Sequence, residues 1–125
     1  MIKVEESRFN DLVSIIKERE DVQEIFLLDA EGNVAFKSGE FPLEADEAKA
    51  ILKSWKEKEQ AIMFQGSRFA ILKNDDIQLA AKNIAQGKGN IAGSITKEGD
   101  YLIIHTEDVG MLLEWSIWLN KLAWS

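Results

Sequence analysis

The sequence has no cysteine, one proline and one histidine. Without cysteine no disulfide staples the fold and no thiol chemistry is possible, which fits a reducing compartment. The lone proline, Pro42, stands without any Ser/Gly-rich stretch or repeat, so nothing marks a linker and residues 1–125 are read as one domain. The lone histidine, His105, ends a predicted strand, and no serine nucleophile stands in a recognisable motif. No catalytic residue, metal site or cofactor is expected, and His105 is read as a strand-end side chain with a satisfied hydrogen bond. Long apolar runs are also missing. Met1-Ile2-Lys3-Val4-Glu5-Glu6 carries acid where a signal peptide needs an apolar core, so a cytoplasmic location without stable membrane association is expected. Positive charge is scarce: 15 basic against 22 acidic residues give a net charge of −7, which disfavours nucleic acid and favours a protein partner.

What is present is ordinary for a globular chain of 125 residues, 46% apolar and 30% charged. Phe9, Leu12, Val13 and Ile16 fall at i, i+3, i+4 and i+7, predicting an amphipathic helix that ends near Arg19. Val22 to Asp29 predicts a buried strand, turned at Ala30-Glu31-Gly32-Asn33 into a second arm, Val34 to Lys37. Ala48, Ile51, Leu52 and Trp55 share one face of a second helix, with Glu44 and Glu47 near its start. From Ala61 to Thr106 the chain reads as strands joined by short turns, and Val109 to Trp124 as a last helix. The order implies an α+β architecture: a central antiparallel sheet with the N- and C-terminal helices packed on one face.

Three segments suggest sites and fail on context. Gly87-Lys88-Gly89 is followed by strand pattern, whereas a Walker phosphate loop leads into a helix. Asp29 to Asn33 lacks the ligand run of a calcium loop and reads as a hairpin turn. Asp75-Asp76 reads as a solvated turn. The last helix is different. Met111, Leu112, Trp115, Trp118, Leu119 and Leu122 form a stripe fit to dock on a sheet, while Leu113, Ile117 and Trp124 line the opposite side. That second apolar side invites either a partner or cover from the first helix.

The chain resembles the profilin family in two blocks. Ile25 to Trp55 is similar to the profilin hairpin that runs through S-x-x-F-P into an acidic helix start. Between Ala61 and Glu107, Gly66-x-Arg68-Phe69-x-Ile71-Leu72 resembles the G-x-K-aromatic-x-V-I strand. Gly87-Lys88-Gly89 resembles the glycine-flanked basic turn, Ile95-Thr96-Lys97 a strand end, and Leu102-Ile103-Ile104 the next strand. The order and spacing of these pieces are more specific than any one of them, and they resemble a divergent member of the kind found in actin-bearing archaea.

The resemblance implies a non-enzymatic, monomeric protein that binds monomeric actin and regulates filament assembly. It places the actin contacts at Lys73, Lys88, Asn90 and Ala92, completed by Val109, Gly110 and Leu113. It also implies a groove for proline-rich peptides formed by Phe9, Leu12, Trp115 and Trp118. Phe9, Leu12 and Ala35 stand where family members carry tryptophan, tyrosine and tryptophan, which implies weak or altered proline binding. A rival with a similar helix–sheet–helix plan is a roadblock or longin domain, a dimerising scaffold or regulator of small GTPases. Ser38 to Pro42 and Gly87 to Gly89 favour profilin.

Overall fold

Residues 3–19, 21–107 and 112–125 are described in the computed structural model. The first helix, α1 (Glu6–Ile16), buries Phe9, Leu12 and Ile16. It stops short of Arg19 because Glu18 and Arg19 donate to carbonyls only three residues back, closing the helix in a tighter turn. Strands β1 (Val22–Leu28) and β2 (Val34–Lys37) form the expected hairpin. Its turn is organised by Asp29, whose carboxylate accepts the Glu31 and Asn33 backbone N–H groups and the Asn33 side-chain amide. Burial alone would raise this carboxyl, but those hydrogen bonds outweigh it and hold the group below the ordinary aspartate range.

Helix α2 (Ala45–Lys56) buries the predicted face, Ala48, Ile51, Leu52 and Trp55. Then come β3 (Ala61–Phe64), β4 (Ser67–Asn74), β5 (Gln78–Lys82), β6 (Asn90–Ile95), β7 (Tyr101–Thr106) and α3 (Leu112–Ala123). The strands form one antiparallel sheet in the order β2-β1-β7-β6-β5-β4-β3.

The sheet divides two cores. On one side α2 covers Phe26, Leu28, Phe64, Phe69, Leu79, Ile91 and Ile103. On the other, α1 and α3 cover Ile25, Leu27, Ala92, Leu102 and Ile104 with Phe9, Leu12, Ile16, Trp115 and Leu119. The terminal helices thus share one face, as expected, and α2 takes the opposite one. Alternation along β5 therefore separates one core from another: Leu79 and Ala81 point towards α2, Ala80 towards α3, and all three are buried.

Double coverage corrects two site expectations. Ala92 is fully buried beneath α3. Asn90 is 1% exposed, its amide directed at the Thr106 hydroxyl and the Glu107 carbonyl. Neither side chain presents itself to a partner.

Candidate protein-binding face

Helix α3 lies over β6 and β5 and leaves the same face of the sheet open towards β4 and β3. Register fixes what stands on that open part. Ile62 and Phe64 point into the α2 core, so Met63 between them points the other way, and its partner Arg68 shares its face. Ala70 and its partner Lys82 follow. At β4 the register slips between Ile71 and Lys73, so Lys73 pairs with Ala80, whose β6 partner Ala92 lies under α3. Leu72 follows Arg68 and Ala70 outward by alternation, and the bulge carries Lys73 to the edge of α3.

The result is a mixed surface. Met63 is 55% exposed and Leu72 58%. Ile84, beyond the end of β5, is 68% exposed and joins Met63, Arg68 and Ala70 around a shallow concavity of about 360 Å³. Ile117 adds a further exposed apolar side chain on α3, away from Trp115, Trp118 and Leu122, which pack towards α1. Arg68, Lys73 and Lys82 supply the charge, all positive in a chain whose net charge is −7. An apolar centre with basic neighbours is the composition of a protein-contact face rather than of a reaction centre.

Lys73 is held in place. Its ammonium donates to the Gln78 side-chain oxygen at 2.7 Å, and the Ser116 hydroxyl of α3 donates to that same oxygen at 3.3 Å. One acceptor therefore ties β4, β5 and α3 together at the border of the open face. Lys88 is exposed on the β5–β6 turn, two strand rows and part of a turn from Lys73, on the order of 10 Å away or more. The two lysines stand towards opposite ends of β5, Lys73 near the β4–β5 turn and Lys88 on the β5–β6 turn, and do not form a pair. Leu113 lies in the first turn of α3, whereas Val109, Gly110 and the stripe residue Met111 lie outside the described residues.

The candidate proline groove is corrected in a similar way. Phe9, Leu12 and Trp115 are 2%, 1% and 3% exposed, which places them in the core under the sheet. Phe36 stacks on Phe9 with ring centroids 5.3 Å apart, so the hairpin does carry a ring, one residue beyond Ala35. Trp118 is half-buried, edge-on to Trp115, and the Arg19 guanidinium lies 4.1 Å from the Trp115 ring and 4.8 Å from Trp118. Trp124 and Ile117 remain exposed, so α1 does not cover that side of α3.

Elsewhere the chemistry is structural. Asp75 accepts the Ile77 and Gln78 backbone N–H groups, while Asp76 points out to Lys58 at 3.8 Å. Burial, then Asp76 nearby, pushes the Tyr101 hydroxyl above the usual tyrosine range. Among the described residues no three His, Asp or Glu side chains converge as a metal site, and no helix is long and apolar enough to cross a membrane.

Comparison with known proteins identifies the frame. No family model matches the chain. Over 123 residues it is 62% identical to Loki profilin-3 of Lokiarchaeum sp. (strain GC14_75), spanning 98% of this chain and 100% of that one. The chain belongs to the profilin family. The profilin fold is equally evident among solved structures. LokiProfilin1 in its complex with rabbit actin superposes with a TM-score of 0.80 at 14% identity, over 98% of this chain and 95% of that one. LokiProfilin2 in complex with rabbit actin gives 0.77 at 16% identity, over 94% and 91%. Of the expected actin contacts, Lys73 lies at the border of this open face and Lys88 on the exposed β5–β6 turn. The sequence singled out Ile117 but not the exposure of Met63 and Leu72, because exposed apolar residues in strands carry the same pattern as core.

Proposed function

We propose that this profilin binds monomeric actin through the open β3–β5 face beside α3 and thereby regulates filament assembly in the cytoplasm. The observation that carries this reading is the exposed Met63, Leu72, Ile84 and Ile117 group with Arg68, Lys73 and Lys82 among them. Membership of the profilin family, and the fold it shares with two archaeal profilins solved on rabbit actin, support it. Apolar side chains supply the desolvated centre of such a contact, and the cations steer an acidic partner towards it. The role is binding, without a reaction.

The test is spontaneous assembly of pyrene-labelled actin from the protein's own organism. A molar excess of the wild type slows nucleation, and Leu72→Asp or Ile84→Asp restores it, with a loss of affinity of roughly tenfold or more. Both side chains are exposed, so the variants retain the fold. Unchanged nucleation with the wild type refutes the reading. Wild-type inhibition that both variants retain refutes the placement of the face.

A further inference from the structure

We propose that His105 is a proton-operated latch on the glycine turn that carries Lys88. The two ring nitrogens of His105 each face an oxygen at 2.7 Å: Nδ1 the Glu24 carboxylate on β1, and Nε2 the Lys88 backbone carbonyl on the β5–β6 turn. A neutral imidazole has one N–H and one lone pair, so it can donate to only one of them. The imidazolium donates to both. Removing the proton sets a nitrogen lone pair against an oxygen lone pair, and one contact has to open.

The contact to Glu24 is the firmer side. It joins directly paired residues of adjacent strands, whereas Lys88 sits on a turn between two glycines. The ring cannot easily turn away, because Phe64 and Phe69 pack against it with centroids at 5.4 and 5.6 Å. The turn can move: Gly87 and Gly89 adopt φ of +64° and +99°. Gly89 is fixed by its close approach to the Thr106 carbonyl, and Asn83 holds the turn by accepting the Lys88 N–H and donating its own N–H to the Gly89 carbonyl. Within the Lys88–Gly89 peptide unit, the carbonyl is the group that His105 holds.

Solvent reaches the ring through a cleft of about 190 Å³ lined by Phe64, Gln65, Ser67, Phe69 and Lys88. The charged groups facing the ring are Glu24 from β1 and Lys88 from the turn. Phe64 of β3, Phe69 of β4 and the β6 partner Ile91 bring none, and Glu47 of α2 accepts the Gln65 N–H at the cleft's rim. The latch turns on one proton of the ring. Its consequence for actin, through Lys88, rests on the function proposed above; the latch itself does not.

Nitrogen-15 NMR of the wild-type protein between about pH 5 and 8 tests it. Both ring nitrogens carry protons at the acid end, and the Gly89 amide, in the same peptide unit as the Lys88 carbonyl, shifts with the midpoint of the ring. Glu24→Gln removes the facing charge and moves that shared midpoint to lower pH. His105→Gln abolishes the Gly89 excursion. A Gly89 amide that stays still while the ring titrates overturns the proposal, as does a ring that keeps a single N–H throughout. If the latch moves as described while actin affinity is the same at both ends of the range, the latch stands and Lys88 is not an actin contact.

Discussion

Trp55 and Gly93 meet with no room for one more carbon: a methyl group on Gly93 would stand 2.8 Å from Cζ3 of the indole and 3.0 Å from Cη2. The indole has little freedom to retreat. Its Nε1 donates to the Asp75 carbonyl at 3.2 Å, and Tyr101 packs edge-on with centroids 5.1 Å apart. Gly93→Ala is therefore expected to cost about 1–3 kcal/mol by overpacking, read as a lower urea midpoint. An unchanged midpoint would show that α2 shifts more freely than its contacts imply.

Asp29 makes stability depend on pH. Burial works to raise its carboxyl, but the Asn33 and Glu31 donors prevail and lower it, so the folded state favours the anion. Its contribution is complete above the ordinary aspartate value near about pH 4 and drains away as pH falls through the depressed folded value. Asp29→Asn should lower stability by about 1–2 kcal/mol at neutral pH. The gap from wild type should shrink towards about pH 3. Denaturant curves at both pH values decide it; a constant gap would remove charge from the explanation.

Ala92 separates folding from binding. Its side chain lies under α3 with no exposed surface, so Ala92→Val is expected to overpack and cost about 1–3 kcal/mol. The folded fraction should still bind actin as the wild type does. Thermal melts alongside co-sedimentation measure both. A selective loss of actin binding in a variant of normal stability would return Ala92 to the contact surface.

Element order, the α2 face and the layout of the terminal helices were readable in the chain because periods of two and of 3.6 residues leave different marks. Burial of Asn90 and Ala92 was not readable. A strand covered on both faces and built of small residues, as in Asn90 to Ile95, shows no side that faces water. The exposure of Leu72 and Ile84 was hidden for the opposite reason: an exposed apolar residue carries the same mark as core. The bulge that carries Lys73 to α3 depends on pairing with β5, which no local pattern encodes.

Proline-rich peptides are expected to bind weakly. Phe9, Leu12 and Trp115 are committed to the core, and Arg19 lies against the tryptophan pair, held by Glu114 at 3.3 Å. A PPII ligand needs several accessible rings side by side. Tryptophan fluorescence titrated with decaproline should give a dissociation constant no tighter than about 1 mM, near −4 kcal/mol. Micromolar binding by the wild type would mean that Phe36, Trp118 and Trp124 assemble a groove of their own.

The sheet is not equally supported along its width. β1, β7 and β6 carry helices on both sides, whereas β3 and β4 are backed by α2 alone and β3 ends the sheet. Amide hydrogens in the middle strands are released only when the whole molecule opens, while those at the β3–β4 margin exchange through smaller, cheaper excursions. The surface proposed for the partner is thus mounted on the more yielding half. Docking there stiffens a margin that otherwise breathes, and some of the contact energy is absorbed in quieting it.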